Sequence, residues 1–389
     1  MFRSTDIIHT ERIVNMIKDV VQNVKVDIKK PMDFWLLLVV VILLATGLIT
    51  MFSASMPYAN REYGDLTYIL KSQLKFAVLG LIVLLVTSCI DYRLYKKFAL
   101  PLFLIALGLL CLVLVPGFHG SDPNIRRWLI IGPIHFQPSE IMKIAMILFF
   151  AHYMSKNSER VSKFFTGFIP FFMVFGVVAI LLLMEPHLSC TIIVFALTII
   201  MLYCAGAKIL HFIIVGTPAV AALSYIAIFT DYMKDRLLSY KDPFQYRSGI
   251  GWQVVQSLYA IGTGGLFGKG LGKSMQKFLY LPEPHNDFIF AIIAEELGFI
   301  GCVVILLLFL MLIWRGIRIS LYAPDKFGSL TAVGITALIG IQFVLNIAVV
   351  TGSVPATGVA LPLFSYGGTA LVLFLAEIGI LLNISRYVK

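Results

Sequence analysis

Apolar stretches about as long as a bilayer is thick recur along this chain, and they leave few folds open. Crossing a hydrocarbon core of roughly 30 Å takes about 20 helical residues. Ten such runs are predicted as spans: 34–53, 73–90, 98–116, 138–155, 165–185, 188–205, 209–229, 287–314, 329–351 and 368–385. None alternates polar and apolar residues as a barrel strand would, and in lipid only helices or closed barrels satisfy every backbone group. The prediction is an all-α polytopic integral membrane protein of about ten transmembrane helices. Composition agrees, because only 13% of the 389 residues are charged, where a soluble chain carries roughly 25%.

The net charge of +10 does not point to nucleic acid. Basic residues gather in alternate short loops, as the positive-inside rule expects of cytoplasmic segments. One side would hold Arg93, Lys96, Lys97, Lys156, Arg160, Lys163, Arg315, Arg318, Lys326 and Arg386. The chain therefore reads N-in/C-in, with a long extracytoplasmic loop, about 231–286, between helices 7 and 8. Residues 1–32 form a cytoplasmic segment, either an amphipathic surface helix or a disordered tail, and 33–389 form one membrane domain. No cleavable leader is expected, since the first apolar run follows a charged segment. The five cysteines lie in or beside apolar runs without paired spacing, so neither a disulfide framework nor a metal site is implied.

Four stretches carry chemistry. Glycines and lysines interleave in GLFGKGLGKS, from Gly265 to Ser274, but Phe267 stands where a nucleotide-binding phosphate loop needs glycine. The stretch is read instead as a flexible loop or as a backbone and lysine contact for phosphate oxygens. Glu140 and Lys143, three apart, share one helix face in FQPSEIMK. An intramembrane pair of this kind should neutralise itself and face the bundle interior or a cavity, as a structural pair or a substrate site. Arg126, Arg127 and Trp128 read as an interfacial anchor or a phosphate clamp. In YLPEPHNDFIFAIIAEELG, Glu283, His285 and Asp287 stand at the mouth of a span, and Glu295 and Glu296 lie deeper. Ionisable residues at such depth read by default as functional. A last loop, SVPATGVALPLFSYGG, holds Ser365 among five glycines and prolines and is predicted to fold back into the protein.

Together these strings resemble the SEDS (shape, elongation, division and sporulation) family, closer to its FtsW/SpoVE branch than to RodA. The carriers are RRWLIIGPIHFQPSEIMK, QVVQSLYAIGTGGLFGKGLGKSMQKFLYLPEPHNDFIFAIIAEELGFIG and NIAVVTGSVPATGVALPLFSYGGTALV, within residues 34–386. The resemblance implies a peptidoglycan glycosyltransferase that polymerises lipid II outside the cytoplasmic membrane, with a class B penicillin-binding protein as partner. It carries the family's essential acid onto Asp287, and its charged pair onto Glu140 and Lys143. Asp287 is then expected to be the general base or the ligand of a divalent cation (Mg²⁺ or Mn²⁺). Arg126, Arg127, Lys273 and Lys277 are expected on the diphosphate, and Glu283, His285, Glu296 and Ser365 around the substrate. Where many relatives have Pro-Asp-Leu-Gly, this chain reads Pro186-His187-Leu188-Ser189. A lipid II flippase, or a proton-coupled transporter relaying through Glu295, Glu296 and Glu377, is the alternative.

Overall fold

The structure is a computed structural model that describes residues 30–118, 127–131, 134–218, 240–246, 251–278 and 280–388. Residues 1–29 of the N-terminal segment, expected to be amphipathic or disordered, and Arg126 lie outside these residues. Helix α1 (Phe34–Tyr63) begins where the Asp33 carboxylate accepts the Leu36 N–H, and it ends at Gly64 in the left-handed region (φ 67°). It is followed by α2 (Tyr68–Cys89), α3 (Tyr95–Val113) and a hairpin of β1 (Leu129–Ile131) with β2 (Ile134–Phe136), antiparallel with Leu129 opposite Phe136. Next come α4 (Pro138–Lys156), short α5 (Ser158–Val161), α6 (Ile169–Met184), α7 (Leu188–Cys204) and α8 (Ile209–Pro218). The chain continues with α9 (Trp252–Gly264), α10 (Ile289–Tyr322), α11 (Lys326–Val350) and α12 (Gly368–Ser385).

Every predicted span falls on a helix, the seventh as far as Pro218. Seven helices among the described residues are by themselves long and apolar enough to cross a bilayer. The others explain themselves: α4 carries Glu140 and Lys143, and α7 has only 17 residues. The segment leading into α1 meets the end of α12 on one side. The Lys30 N–H donates to Arg386 O, the Asp33 N–H to Ser385 Oγ (3.0 Å), and Arg315 pairs with the Asp33 carboxylate. Asp325 there caps α11 and bonds Lys96 (3.2 Å). Asp287 precedes the start of α10 and Arg315 sits near its end, so the acid stands at the opposite face.

The predicted eighth span needs correction. Helix α10 runs on to Tyr322 and is broken at Gly298, whose backbone (φ 67°, ψ −169°) is closed to most L-residues. A break at membrane depth strands backbone groups unless protein covers them. Here the chain after α9 covers them. Lys269 and Gly270 donate to Glu295 O and Glu296 O, while Phe299 and Ile300 donate to Gly265 O and Leu266 O. Only glycines permit that approach: a Cβ at Gly298 would stand 2.7 Å from Leu266 O, and one at Gly268 2.5 Å from the Glu296 carbonyl carbon. The long loop thus contains a packed helix and a wedge, rather than a flexible glycine-lysine segment.

The loop after α11 folds back as predicted. Val359, Leu361, Leu363 and Phe364 are buried, and the Phe364 ring lies 6.0 Å from that of Phe309 in the middle of α10. A Cβ on Gly47 of α1 would come within 3.0 Å of the Leu363 carbonyl carbon, so a glycine there admits the returning chain. Helix α12 then packs along α2, with Thr87 Oγ1 donating to Ala376 O (3.2 Å) and Asn383 Nδ2 to Ser88 O (2.8 Å).

Candidate functional site

Asp287 is half-buried on the last loop turn before α10. Asn346 Nδ2 of α11 donates to Asp287 O (2.8 Å) and to Val359 O (2.7 Å), and so ties the acid's backbone to the returning loop. A Cβ at Gly358 would come within 3.0 Å of Asp287 Oδ2, so the returning loop passes directly against the acid. Gly358 itself has φ 70°, a conformation suited to glycine.

The neighbours of Asp287 are fixed by that same loop. Ser365 Oγ donates to Asn286 O (2.7 Å) and accepts the Leu361 N–H (2.8 Å), and the Tyr366 N–H donates to His285 O (2.9 Å). Ser365 therefore holds the acid's loop in register, whatever else it touches. The His285 ring is buried between Tyr58 (centroids 5.0 Å apart) and Tyr366 (5.8 Å), and burial pushes its pKa down to about 4. It is neutral at pH 7. Glu283 is exposed and accepts from Asn286 Nδ2 (2.7 Å).

A second cluster joins this one through the returning loop. Ser189 Oγ, at the start of α7, donates to Thr357 O, the residue before Gly358. Beside it His187 faces Gln137 Nε2 (3.4 Å), and Arg127 donates from Nη2 to Pro186 O. Burial pushes Glu185 up to about 8 against the opposing pull of Arg127, and His187 down to about 3. Burial thus favours the uncharged form of both side chains. The predicted Glu140–Lys143 pair is formed at 2.7 Å, with Lys143 almost wholly buried, and its ammonium charge reaches His187.

Buried polar atoms are normally paired, yet this region collects exceptions. Arg127 Nε, Ser139 Oγ, both Glu185 oxygens, His285 Nδ1, Asn286 Oδ1 and Thr357 Oγ1 have no hydrogen-bond partner among the described residues. They lie along the path from Asp287 through Gly358 and Ser189 to the Glu140–Lys143 pair. A polar ligand, or water standing in for one, would satisfy them.

Two expectations change here. Glu296 and Lys277 form a buried ion pair (2.8 Å), with Ser53 Oγ of α1 donating to Glu296 (2.7 Å) and the Ser274 N–H adding a third donor (3.2 Å). Glu296 is 2% and Lys277 1% exposed, so each is taken up by the other and by the wedge. The reason is the wedge, whose seating requires charge and donors around the helix break. Glu295 is fixed likewise by Lys269 (2.6 Å), Ser274 Oγ and the Met275 and Gln276 N–H groups. These two acids are pinned to a loop, an arrangement unlike a proton relay. Lys273 is exposed, with no acidic partner among the described residues. The sequence reading missed Gln137, Glu185, Ser189, Thr357 and Gly358. Their signal was the pair of interruptions at Pro186 and at Pro355 to Gly358.

Comparisons with known proteins agree along nearly the whole chain. The model of the "Cell cycle protein" family of FtsW, RodA and SpoVE matches residues 34–389. Stage V sporulation protein E of Bacillus subtilis is 43% identical over 355 residues, covering 91% of this chain and 97% of its own. A probable peptidoglycan glycosyltransferase FtsW of Trichlorobacter lovleyi is 43% identical over 357 residues, covering 92% and 94%. Among solved structures, a chain from a peptidoglycan synthase complex that coordinates polymerization and crosslinking superposes with a TM-score of 0.77 at 28% identity, covering 91% and 98%. The rod shape determining protein RodA of Thermus thermophilus gives 0.68 at 28% identity, covering 91% and 97%. The family model begins at the first residue of α1 and takes in both clusters around Asp287, and the chain belongs to the FtsW/RodA/SpoVE family of multi-pass membrane proteins.

Proposed function

We propose that this protein is a peptidoglycan glycosyltransferase that polymerises lipid II into β-1,4 glycan at the extracytoplasmic face of a bacterial cytoplasmic membrane. The observation that carries the reading is the run of unpartnered buried polar atoms between Asp287 and the Glu140–Lys143 pair. It suits a polar, lipid-linked ligand that enters from the bilayer. Relatives named peptidoglycan glycosyltransferase FtsW support the reaction class.

Lipid II carries its sugar through an α-linked diphosphate, so forming a β linkage inverts the anomeric carbon. The acceptor 4-hydroxyl must lose a proton to a base within hydrogen-bond reach. Asp287 is the acid at the mouth of the site, and His285 beside it, held near a pKa of 4, is a poor base at neutral pH. Arg127, with Nε unpartnered, and exposed Lys273 are the cations on this face suited to the departing diphosphate. Arg126 adjoins them in sequence. Glu140 and Lys143 would stabilise the polar head from below.

No group of three or more His, Cys, Asp or Glu side chains among the described residues could cage a metal. Mg²⁺, however, is commonly held by one or two carboxylates plus substrate phosphates, and Asp287 with a diphosphate fits that donor set. A cation so held would help neutralise the leaving group. A class B penicillin-binding protein that cross-links the strands is the partner this reading implies.

The test supplies labelled lipid II and Mg²⁺ or Mn²⁺ to purified protein with its transpeptidase partner, and reads glycan length on a gel. Wild type should polymerise, and folded Asp287→Asn should not. Equal polymer from both would remove Asp287 from the chemistry. Transbilayer movement of lipid II without polymer would replace the enzyme reading by transport.

A further inference from the structure

At the face opposite Asp287, α1, α10 and α12 border a cleft of about 530 Å³ lined by Lys30, Asp33, Trp35, Arg315, Arg318 and Tyr322 among others. Its charges do not balance. Arg315 Nε lies 2.9 Å from Asp33 Oδ2, while Asp33 Oδ1 accepts the Leu36 N–H, so the one acid is fully engaged. Lys30 and Arg318 have no acidic partner among the described residues. The Arg318 guanidinium is held over two rings, 5.5 Å from Trp314 and 6.0 Å from Tyr322, which orients a cation without neutralising it.

The rim matches an interfacial position. Trp35, Trp314 and Tyr322 are each more than half exposed, and aromatic side chains of this kind sit at the headgroup level of a bilayer. Away from the rim the exposed surface turns apolar, through Val41 and Ile42 on α1 and Leu310 and Ile317 on α10. Two excess cations, ordered aromatics and an adjoining apolar track fit one ligand chemistry: a phosphodiester headgroup with acyl chains.

We propose that this cleft binds the headgroup of an anionic phospholipid from the adjacent leaflet, at a site separate from the one around Asp287. Charge complementarity selects the occupant. Lys30 and Arg318 would take the phosphodiester, and Trp35 and Tyr322 would bracket the glycerol region.

The experiment purifies the full chain in detergent micelles doped with equal phosphatidylglycerol and phosphatidylcholine, and counts retained lipids by native mass spectrometry. Wild type should retain phosphatidylglycerol selectively, also in the presence of millimolar inorganic phosphate. The Lys30→Gln/Arg318→Gln variant should lower that retention by about thirtyfold, as expected for two cations each contributing about 1 kcal/mol near a lipid surface. Lys163→Gln/Lys208→Gln removes the same charge from loops outside the cleft and should retain the lipid as wild type does. Absence of selectivity in wild type would overturn the site. So would displacement by free phosphate, or equal losses in both variants, which would mark a bound phosphate or diffuse charge attraction instead.

Discussion

The buried Lys277–Glu296 pair offers a sharp test of how the acid's half-helix is held. Lys277→Met keeps an unbranched side chain of similar length but removes the ammonium 2.8 Å from Glu296 Oε1. The carboxylate would then remain 2% exposed with two neutral donors, Ser53 Oγ at 2.7 Å and the Ser274 N–H at 3.2 Å. Leaving one member of a buried pair uncompensated costs about 3–5 kcal/mol. Glu296→Gln alone should cost a comparable amount, because Lys277 would keep only the Ser53 hydroxyl at 3.0 Å and the new amide oxygen. Together the two changes leave no buried charge, so the double variant should cost less than the sum by about 2–3 kcal/mol. Unfolding in mixed detergent micelles, followed by circular dichroism for all four proteins, measures the cycle. Glycan synthesis should follow the same order, since Glu296 sits on the half-helix that follows Asp287, nine positions along the chain. Additivity within about 0.5 kcal/mol would refute the reasoning.

Two further outcomes are expected. Gly298→Ala should lower stability by more than about 3 kcal/mol, because the backbone is strained for alanine and the new methyl meets the Gly268 nitrogen and Leu266 O, both main-chain; thermal unfolding in detergent checks it, and a near-neutral result would mean that the wedge is not tightly seated. His187→Gln should flatten the acid sensitivity of unfolding. With a folded pKa near 3 against an ordinary 6.5, His187 contributes stability that is complete above pH 6.5 and is lost as pH falls toward 3, so the variant and wild type should diverge across that window.

The ten spans were legible because lipid imposes them: a chain in hydrocarbon has few ways to satisfy its backbone, and each shows as a long apolar run. Asp287 stood out less by itself, since an acid at a helix start is an ordinary partner of the helix dipole, than through the deeper acids after it and the family motif it falls on. The same logic misled at Glu295 and Glu296. Buried acids in a span read as functional, but here the main-chain N–H groups and lysines of residues 269–277 are their partners. Nothing in the sequence pairs Lys277 with Glu296 rather than with a phosphate; only the seating of the wedge does. Gly298 was equally silent, since one glycine in an apolar helix does not announce the sign of its φ. His187 shows a different limit. The departure from the family pattern was visible, but its burial beside Gln137 and Arg127 depends on the hairpin before α4 reaching the turn between α6 and α7.

The packing of α12 along α2 gives the protein a timetable. Ser88 and Asn383, which share a hydrogen bond, are 295 positions apart in the chain. Ribosomes add about 5–20 residues per second, so α2 enters the membrane roughly 15 to 60 seconds before its neighbour exists. During that interval Gln73 waits for Ser365 and Gly367, and Thr87 for Ala376, with only lipid, water or the insertion machinery beside them. The returning loop that passes Asp287 is anchored by the same Gln73. The acid therefore acquires its surroundings only when residues 357–367 arrive. A nascent chain that carried every apolar span up to α11 but not residues 357–367 would still lack the loop that passes Asp287.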